Sequence, residues 1–152
     1  MKLPIIRTIA SDDAILEGDI KTAQKYLGSK YQLSGKVVGG RKIGTKIGFP
    51  TANIEIEEDY KLIPKDGVYA VEVEIDMHSY TGMLNIGKRP TIKGKHRTIE
   101  VNIFDFEAEI YNHSIKLYFI DRIRDEKKFD SLEDLKNQLS LDMLKTKEIF
   151  QK

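Results

Sequence analysis

Thr51 and Asn53 carry neutral oxygens two residues apart, and the stretch before them is basic and dense in glycine. Five of the eleven glycines fall between Gly35 and Gly48: Gly35, Gly39, Gly40, Gly44 and Gly48. Arg41, Lys42 and Lys46 sit among the last four. Glycines let a backbone approach a ligand closely and present its N–H groups, and the neighbouring cations favour an anion. On a strand, Thr51 and Asn53 would share one face. Backbone donors, positive charge and hard oxygens together suit a phosphate carrying Mg²⁺. The competing reading is a glycine-rich hairpin loop with solvated lysines, and the composition of the stretch alone leaves both open.

A second candidate is Glu100, in Arg97-Thr98-Ile99-Glu100-Val101-Asn102-Ile103-Phe104. Ile99, Val101 and Ile103 belong to an apolar face, so Glu100 shares the opposite face with Thr98 and Asn102. If solvent covers that face, Glu100 is a surface carboxylate. If a pocket does, it is a candidate general base. The run from Arg122 to Phe129 is charged; it reads as a solvated connection, or as a place where an arginine clamps a phosphate. His78, His96 and His113 lie in separate turns without ligand spacing and read as surface residues. No phosphate loop of the Gly-x-x-x-x-Gly-Lys-Ser/Thr kind is present: Gly39-Gly40 to Gly44 leads to Thr45, and no helix clearly follows.

These residues need a scaffold. A chain of 152 residues is one domain with room for a short appended helical segment, and it can bury about two thirds of its unfolded surface. The net charge of +1 gives no bulk attraction to nucleic acid or membrane. With no cysteine, disulfides and thiolate metal sites are excluded and a reducing, cytoplasmic setting fits. The start, Met1 to Ile6, has no apolar run long enough for a signal peptide or membrane span. Residues 11–28 read as two short, polar helices, the first capped by Ser11-Asp12-Asp13 and stopped by Gly18, the second capped by Asp19 and closed by Gly28. They look like a connector, not a core. From Tyr31 the apolar period becomes two. Strands are predicted around 33–38, 52–56, 68–75, 80–86, 97–104 and 115–119. Tyr69, Val71, Val73 and Ile75 share a face opposite Glu72 and Glu74. Gly87-Lys88-Arg89-Pro90 is expected to end a strand, and Lys93-Gly94-Lys95 to form a basic loop. Ser131-Leu132-Glu133-Asp134 resembles a capping box, opening a helix with Leu135, Leu139 and Met143 on one stripe and a restart at Ser140. Short strands joined by turns argue for an antiparallel sandwich or barrel with the closing helix packed across it.

In order along the chain, Gly48-Phe49-Pro50-Thr51-Ala52-Asn53, Pro64-x-x-Gly67-Val68-Tyr69-Ala70, Tyr80-x-Gly82-Met83-x-Asn85-Ile86-Gly87-x-Arg89-Pro90-Thr91, Glu100, and Ile123-Arg124-x-Glu126-x-Lys128-Phe129 resemble the riboflavin kinase family. Asp105-Phe106, Ile110-Tyr111, Ser131-Leu132 and Asp142 continue the likeness, which covers about residues 31–150. The resemblance implies a mainly β fold: a six-stranded antiparallel Greek-key barrel over 31–152 with a C-terminal helix, preceded by a helical connector over 1–30. It implies transfer of the ATP γ-phosphate to the ribityl 5′-hydroxyl of riboflavin, giving FMN. By the same resemblance, Thr51 and Asn53 match the Mg²⁺-binding pair, and Glu100 matches the base. The stretch from Gly40 to Gly48, with Lys42, Gly44 and Lys46, matches a flap over the nucleotide phosphates. Arg124 matches an arginine on the flavin side.

The chain departs from the family pattern at Thr45, where an arginine is usual, although Lys46 follows it. Asn102 stands where many relatives have His or Tyr and is expected at the pocket rim. The N-terminal stretch resembles the segment that joins the two halves of bacterial enzymes that are also FMN adenylyltransferases, but no His-x-Gly-His motif of nucleotidyl transfer occurs. Kinase activity without adenylyl transfer is expected, with an adenylyltransferase domain present only if the chain is part of a longer parent. Two other readings stand beside it: a flavin-binding module without turnover, and a barrel binding single-stranded nucleic acid through basic loops and aromatics. The near-neutral charge opposes the latter, so neither nucleic acid nor membrane is expected as a partner.

Overall fold

The computed structural model describes residues 9–41, 47–58, 60–92, 94–106 and 108–151. Two helices, α1 (Ile9–Leu16) and α2 (Ile20–Leu27), precede six strands. These are β1 (Tyr31–Arg41), β2 (Thr51–Ile56), β3 (Gly67–Ile75), β4 (His78–Thr91), β5 (Gly94–Ile103) and β6 (Ser114–Arg124). A long helix, α3 (Leu132–Phe150), follows.

All the strand pairs are antiparallel, and they close into a barrel in the order β1-β2-β5-β4-β3-β6. β3, β4 and β5 form a meander, and β6 returns to lie beside β3. That is the Greek-key arrangement, three consecutive strands with the fourth next to the first. Closure leaves the sheet without free edges. The β3–β4 turn is tight, because Ile75 pairs with His78 and both intervening residues, Asp76 and Met77, have positive φ.

The predicted alternation holds. Tyr69, Val71, Val73, Leu84, Leu117 and Phe119 point into the barrel and are fully buried, each stabilising the fold by about 1.5–3 kcal/mol. Tyr69 and Phe119 meet edge to face, their ring centres 5.2 Å apart. Val68 and Ala70 are buried too, on the outer face, in a second cluster with Phe49, Met83, Phe104 and Ile123. Leu139, Met143, Ile149 and Phe150 of α3 pack against that cluster. The helix therefore lies on the outer wall of the barrel, with the Ser131 hydroxyl accepting from the Asp134 N–H at 3.1 Å as its N-cap.

Three expectations are corrected. First, the N-terminal helices contribute to the core: Ala14, Ile15, Ile20 and Ala23 are buried with the barrel interior, and Ser11 lies buried within α1 instead of capping it. Four apolar residues spread over two eight-residue helices are too few for a visible period. Only their convergence on the barrel reveals them. Second, β4 runs on through Gly87 to Thr91, and β5 starts at Gly94, with the ladder unbroken from Gly87–Thr98 to Thr91–Gly94. Partner-strand hydrogen bonds hold the hairpin extended where residue types suggest loops. Third, α3 does not restart at Ser140, whose hydroxyl donates to the Lys136 carbonyl at 3.0 Å within a continuous helix.

Candidate active site

The barrel register lays one row of residues across all six strands. Gly39 lies opposite Asn53, Asn53 opposite Glu100, and Glu100 opposite Asn85. Asn85 lies opposite Val68, and Val68 opposite Arg124. Directly opposed residues in an antiparallel ladder send their side chains to the same face. Their chain neighbours Ile54, Val101, Leu84 and Tyr69 fill the interior, so this row faces outward, toward the side that α3 covers. Strands are spaced by about 4.8 Å, which puts Asn53 and Asn85 one spacing on either side of Glu100.

Between this wall, α3 and the 125–131 connection lies a cavity of about 340 Å³. Thr51, Asn85, Glu100, Asn102, Arg124 and Glu126 line it together with apolar side chains such as Phe129 and Leu139. A second cavity of about 740 Å³ is lined by Gly39, Pro50, Phe106 and Tyr111, among others. Thr51 lines both. The open question about Glu100 is thus answered: its face is a pocket wall, and the residue is 3% exposed. Asn53 stands in the row but does not line either cavity.

Thr51 Oγ1, Asn53 Oδ1 and Asn85 Oδ1 are buried and have no hydrogen-bond partner among the described residues. Buried polar oxygens without a partner are costly and uncommon, which points to a ligand that completes them. Two of them, on Thr51 and Asn53, are hard neutral donors on one strand, and they fit Mg²⁺ when phosphates supply the remaining ligands. Of the residues matched to the flap, Gly40 still belongs to β1 and pairs with Ala52, one step before the ladder ends at Arg41 opposite Thr51. Gly48 has φ +86°, a left-handed conformation that favours glycine. Lys42, Gly44 and Lys46, with Thr45, lie outside the described residues.

Arg124 lines the cavity and is fixed from behind by α3. Its Nε donates to both Asp142 carboxylate oxygens at 3.0 Å, and a terminal nitrogen lies 2.8 Å from Asp142 Oδ2. Asp142 is 2% exposed and also accepts from Gln138 Nε2 at 3.0 Å. The guanidinium is stacked 5.7 Å from the Phe129 ring centre. A buried carboxylate thus neutralises the arginine while fixing its direction.

Three wall residues were not singled out as site residues from the sequence. Asn85 was part of a quoted motif, and the inward pattern of Leu84 and Ile86 already turned it outward, but its place beside Glu100 depends on pairing. Asn102, expected at the rim, is buried, and its amide donates to the Pro50 carbonyl at 2.6 Å, holding the entry to β2. Glu126 was one charge in a charged run. Its carboxylate lies against Gly87, where any Cβ would collide with it. The residue as a whole is exposed, but the desolvation of its carboxyl where it packs against Gly87 pushes it up, against the lowering effects of the Lys127 N–H, Arg124 and Asn85.

These features define a class: a closed Greek-key barrel with a polar-walled cavity on its outer wall, beneath a C-terminal helix. A family model described as Flavokinase, riboflavin kinase, matches residues 27–150. The chain belongs to the riboflavin kinase family. The bifunctional riboflavin kinase/FMN adenylyltransferase of Haemophilus influenzae is 40% identical over 146 residues, which is 95% of this chain and 47% of that protein. The protein of the same description from Bacillus subtilis is 42% identical over 132 residues, 85% of this chain and 42% of its own length. The chain therefore spans less than half the length of these curated relatives. Among solved structures, riboflavin kinase from Trypanosoma brucei superposes with a TM-score of 0.55 at 27% identity, covering 80% of each chain. A Streptococcus pneumoniae structure described as a macrolide-efflux protein superposes with a TM-score of 0.87 at 43% identity, over 93% of this chain and 46% of the other.

Proposed function

We propose that this chain is a riboflavin kinase: it transfers the γ-phosphate of ATP to the ribityl 5′-hydroxyl of riboflavin, giving FMN and ADP. The observation that carries the reading is the cross-barrel row, which brings Asn53, Glu100 and Asn85 side by side, next to a threonine shared by two cavities. Two substrates that must exchange a phosphoryl group need adjoining sites with a common border, and Thr51 is on that border.

Phosphoryl transfer depends on alignment and charge neutralisation more than on covalent chemistry. Glu100 takes the proton of the attacking hydroxyl as the new O–P bond forms and the bond to ADP breaks. Such help is worth about 10²–10⁴-fold in rate. Thr51 and Asn53 would hold Mg²⁺ through their side-chain oxygens, and the bound ion would supply neutralisation of the phosphate charge. Gly40 to Gly48, with Lys42, Gly44 and Lys46, covers the phosphates. Arg124, held by Asp142, orients the flavin in the smaller cavity, where Phe129 and Leu139 supply apolar surface.

Residues 31–152 form the kinase unit, and residues 1–30 a helical connector, from which Ala14, Ile15, Ile20 and Ala23 of α1 and α2 join the barrel core. In a longer parent chain this connector would lead to an adenylyltransferase domain. The 152 residues carry no His-x-Gly-His motif, so FMN is the final product of this chain. No described helix is long and apolar enough to cross a membrane, and a cysteine-free chain suits the reducing cytoplasm.

The test is incubation with riboflavin, ATP and Mg²⁺ followed by chromatography. FMN that appears only when all three are present supports the reading. Riboflavin bound without FMN formation would instead make the chain a non-catalytic flavin-binding module.

A further inference from the structure

The segment after β6 contributes Glu126, Lys127, Lys128 and Phe129 to the wall of the smaller cavity, yet residues 125–129 have no regular secondary structure. Asp125, its first residue, is held at two points. Its carbonyl accepts from Arg124 at 2.9 Å, and its carboxylate lies 2.5 Å from Arg122.

Arg122 is itself fixed in a socket at the end of the barrel. One terminal nitrogen donates to the Tyr69 hydroxyl at 2.7 Å, and the other to the Asp66 carbonyl at 2.9 Å. Its guanidinium carbon lies 5.3 Å from the Tyr69 ring centre. Two glycines complete the fit: a Cβ on Gly18 would come within 2.8 Å of the guanidinium, and one on Gly67 within 2.6 Å. The side chain is 19% exposed, while that of Asp125 is 79% exposed. The pair thus joins a rigid, preorganised cation to the start of an irregular segment. The same guanidinium holds the Asp125 carboxyl below the usual carboxylate range.

We infer that Arg122 is a positioning residue: by gripping Asp125 it fixes the 126–129 wall against which the substrate binds. This rests on the kinase reading for the identity of the substrate, though the clamp itself does not. Arg122 does not line the cavity, so its effect passes through Asp125. Because a preformed wall lowers the ordering cost of binding, losing the grip should weaken flavin binding and leave the phosphoryl-transfer groups in place.

Asp125→Asn removes the charge at an exposed position without changing size. The expected result is a rise in riboflavin Kd and KM of roughly two- to five-fold, in line with loss of one exposed ion pair, with kcat, the KM for ATP and Tm unchanged. Added salt should narrow the gap between variant and wild type. Arg122→Gln should weaken riboflavin binding as much and also lower Tm, because it empties the Tyr69 socket. The double variant should bind no more weakly than Arg122→Gln alone. Normal riboflavin binding by Asp125→Asn, equal losses for riboflavin and ATP, or additive effects in the double variant would overturn the assignment. Amide hydrogen exchange on the ligand-free chain keeps the two readings apart. If wild type bound no riboflavin, the kinase reading would fail, and the clamp would still stand on faster exchange at 126–129 in Asp125→Asn. Unchanged exchange there refutes the clamp.

Discussion

Replacing Asp142 with alanine should cost the folded chain about 3 kcal/mol, because it leaves Arg124 charged and poorly paired behind the cavity. Removing one partner of a buried ion pair typically costs about 3–5 kcal/mol. The lower end applies because the Arg124 side chain is 18% exposed and keeps its bond to the Asp125 carbonyl. In a chain of this size about 1 kcal/mol moves Tm by roughly 2–4 °C, so a fall of about 6–12 °C is expected by calorimetry. Asp142→Asn, which keeps one acceptor oxygen, should fall between alanine and wild type. The double variant Arg124→Met, Asp142→Leu replaces the pair with apolar side chains of similar reach, a change that is often neutral for stability. It should recover most of the lost stability while still failing to bind riboflavin, read by quenching of flavin fluorescence. A loss under about 1 kcal/mol for Asp142→Ala, or a double variant no more stable than the single one, would refute the claim that an unpaired Arg124 is the source of the cost.

The remaining predictions concern the wall itself. Glu100→Gln should reduce kcat by about 10²–10⁴-fold while riboflavin Kd stays near wild type; near-normal turnover would remove Glu100 from the role of base. Thr51→Ala should weaken Mg²⁺-nucleotide binding about ten-fold or more and free-flavin binding little, consistent with loss of a metal ligand; equal losses, measured by titration calorimetry, would indicate a folding defect. Desolvation of the Glu126 carboxyl where it packs against Gly87 raises it above its unfolded value, although the residue as a whole is exposed, so a small contribution to stability is most favourable in acid and declines as pH rises through the folded pKa. Glu126→Gln should therefore melt above wild type at neutral pH, with the advantage vanishing in acid. A pH-independent difference would contradict that sign.

How much of this was legible beforehand varies by element. The inner face of β3 was readable because Tyr69, Val71, Val73 and Ile75 alternate strictly. The C-terminal helix was readable because Ser131 and the Leu135–Leu139–Met143 stripe are local signals. The N-terminal pair does not read as core from local sequence, because Ile15 and Ile20 gain their meaning only from the barrel interior they join. The full length of the β4–β5 hairpin is not legible locally, because Gly87, Pro90 and Gly94 have turn-like chemistry that strand pairing overrides.

The sequence by itself determined which residues could do chemistry, and on which side of its own strand each would stand. Thr51 and Asn53 share a face, and Glu100 opposes Ile99 and Val101, because side-chain direction in a strand has a fixed period of two. What only the tertiary structure decided is which strands meet, and in what register. Residues 53, 85, 100 and 124 become one row solely through the pairings β2–β5, β5–β4, β4–β3 and β3–β6. A slip of one residue in any of them would turn a side chain from the outer wall into the core. Register is set by burial of the whole interior at once, and no local stretch of the chain carries that information.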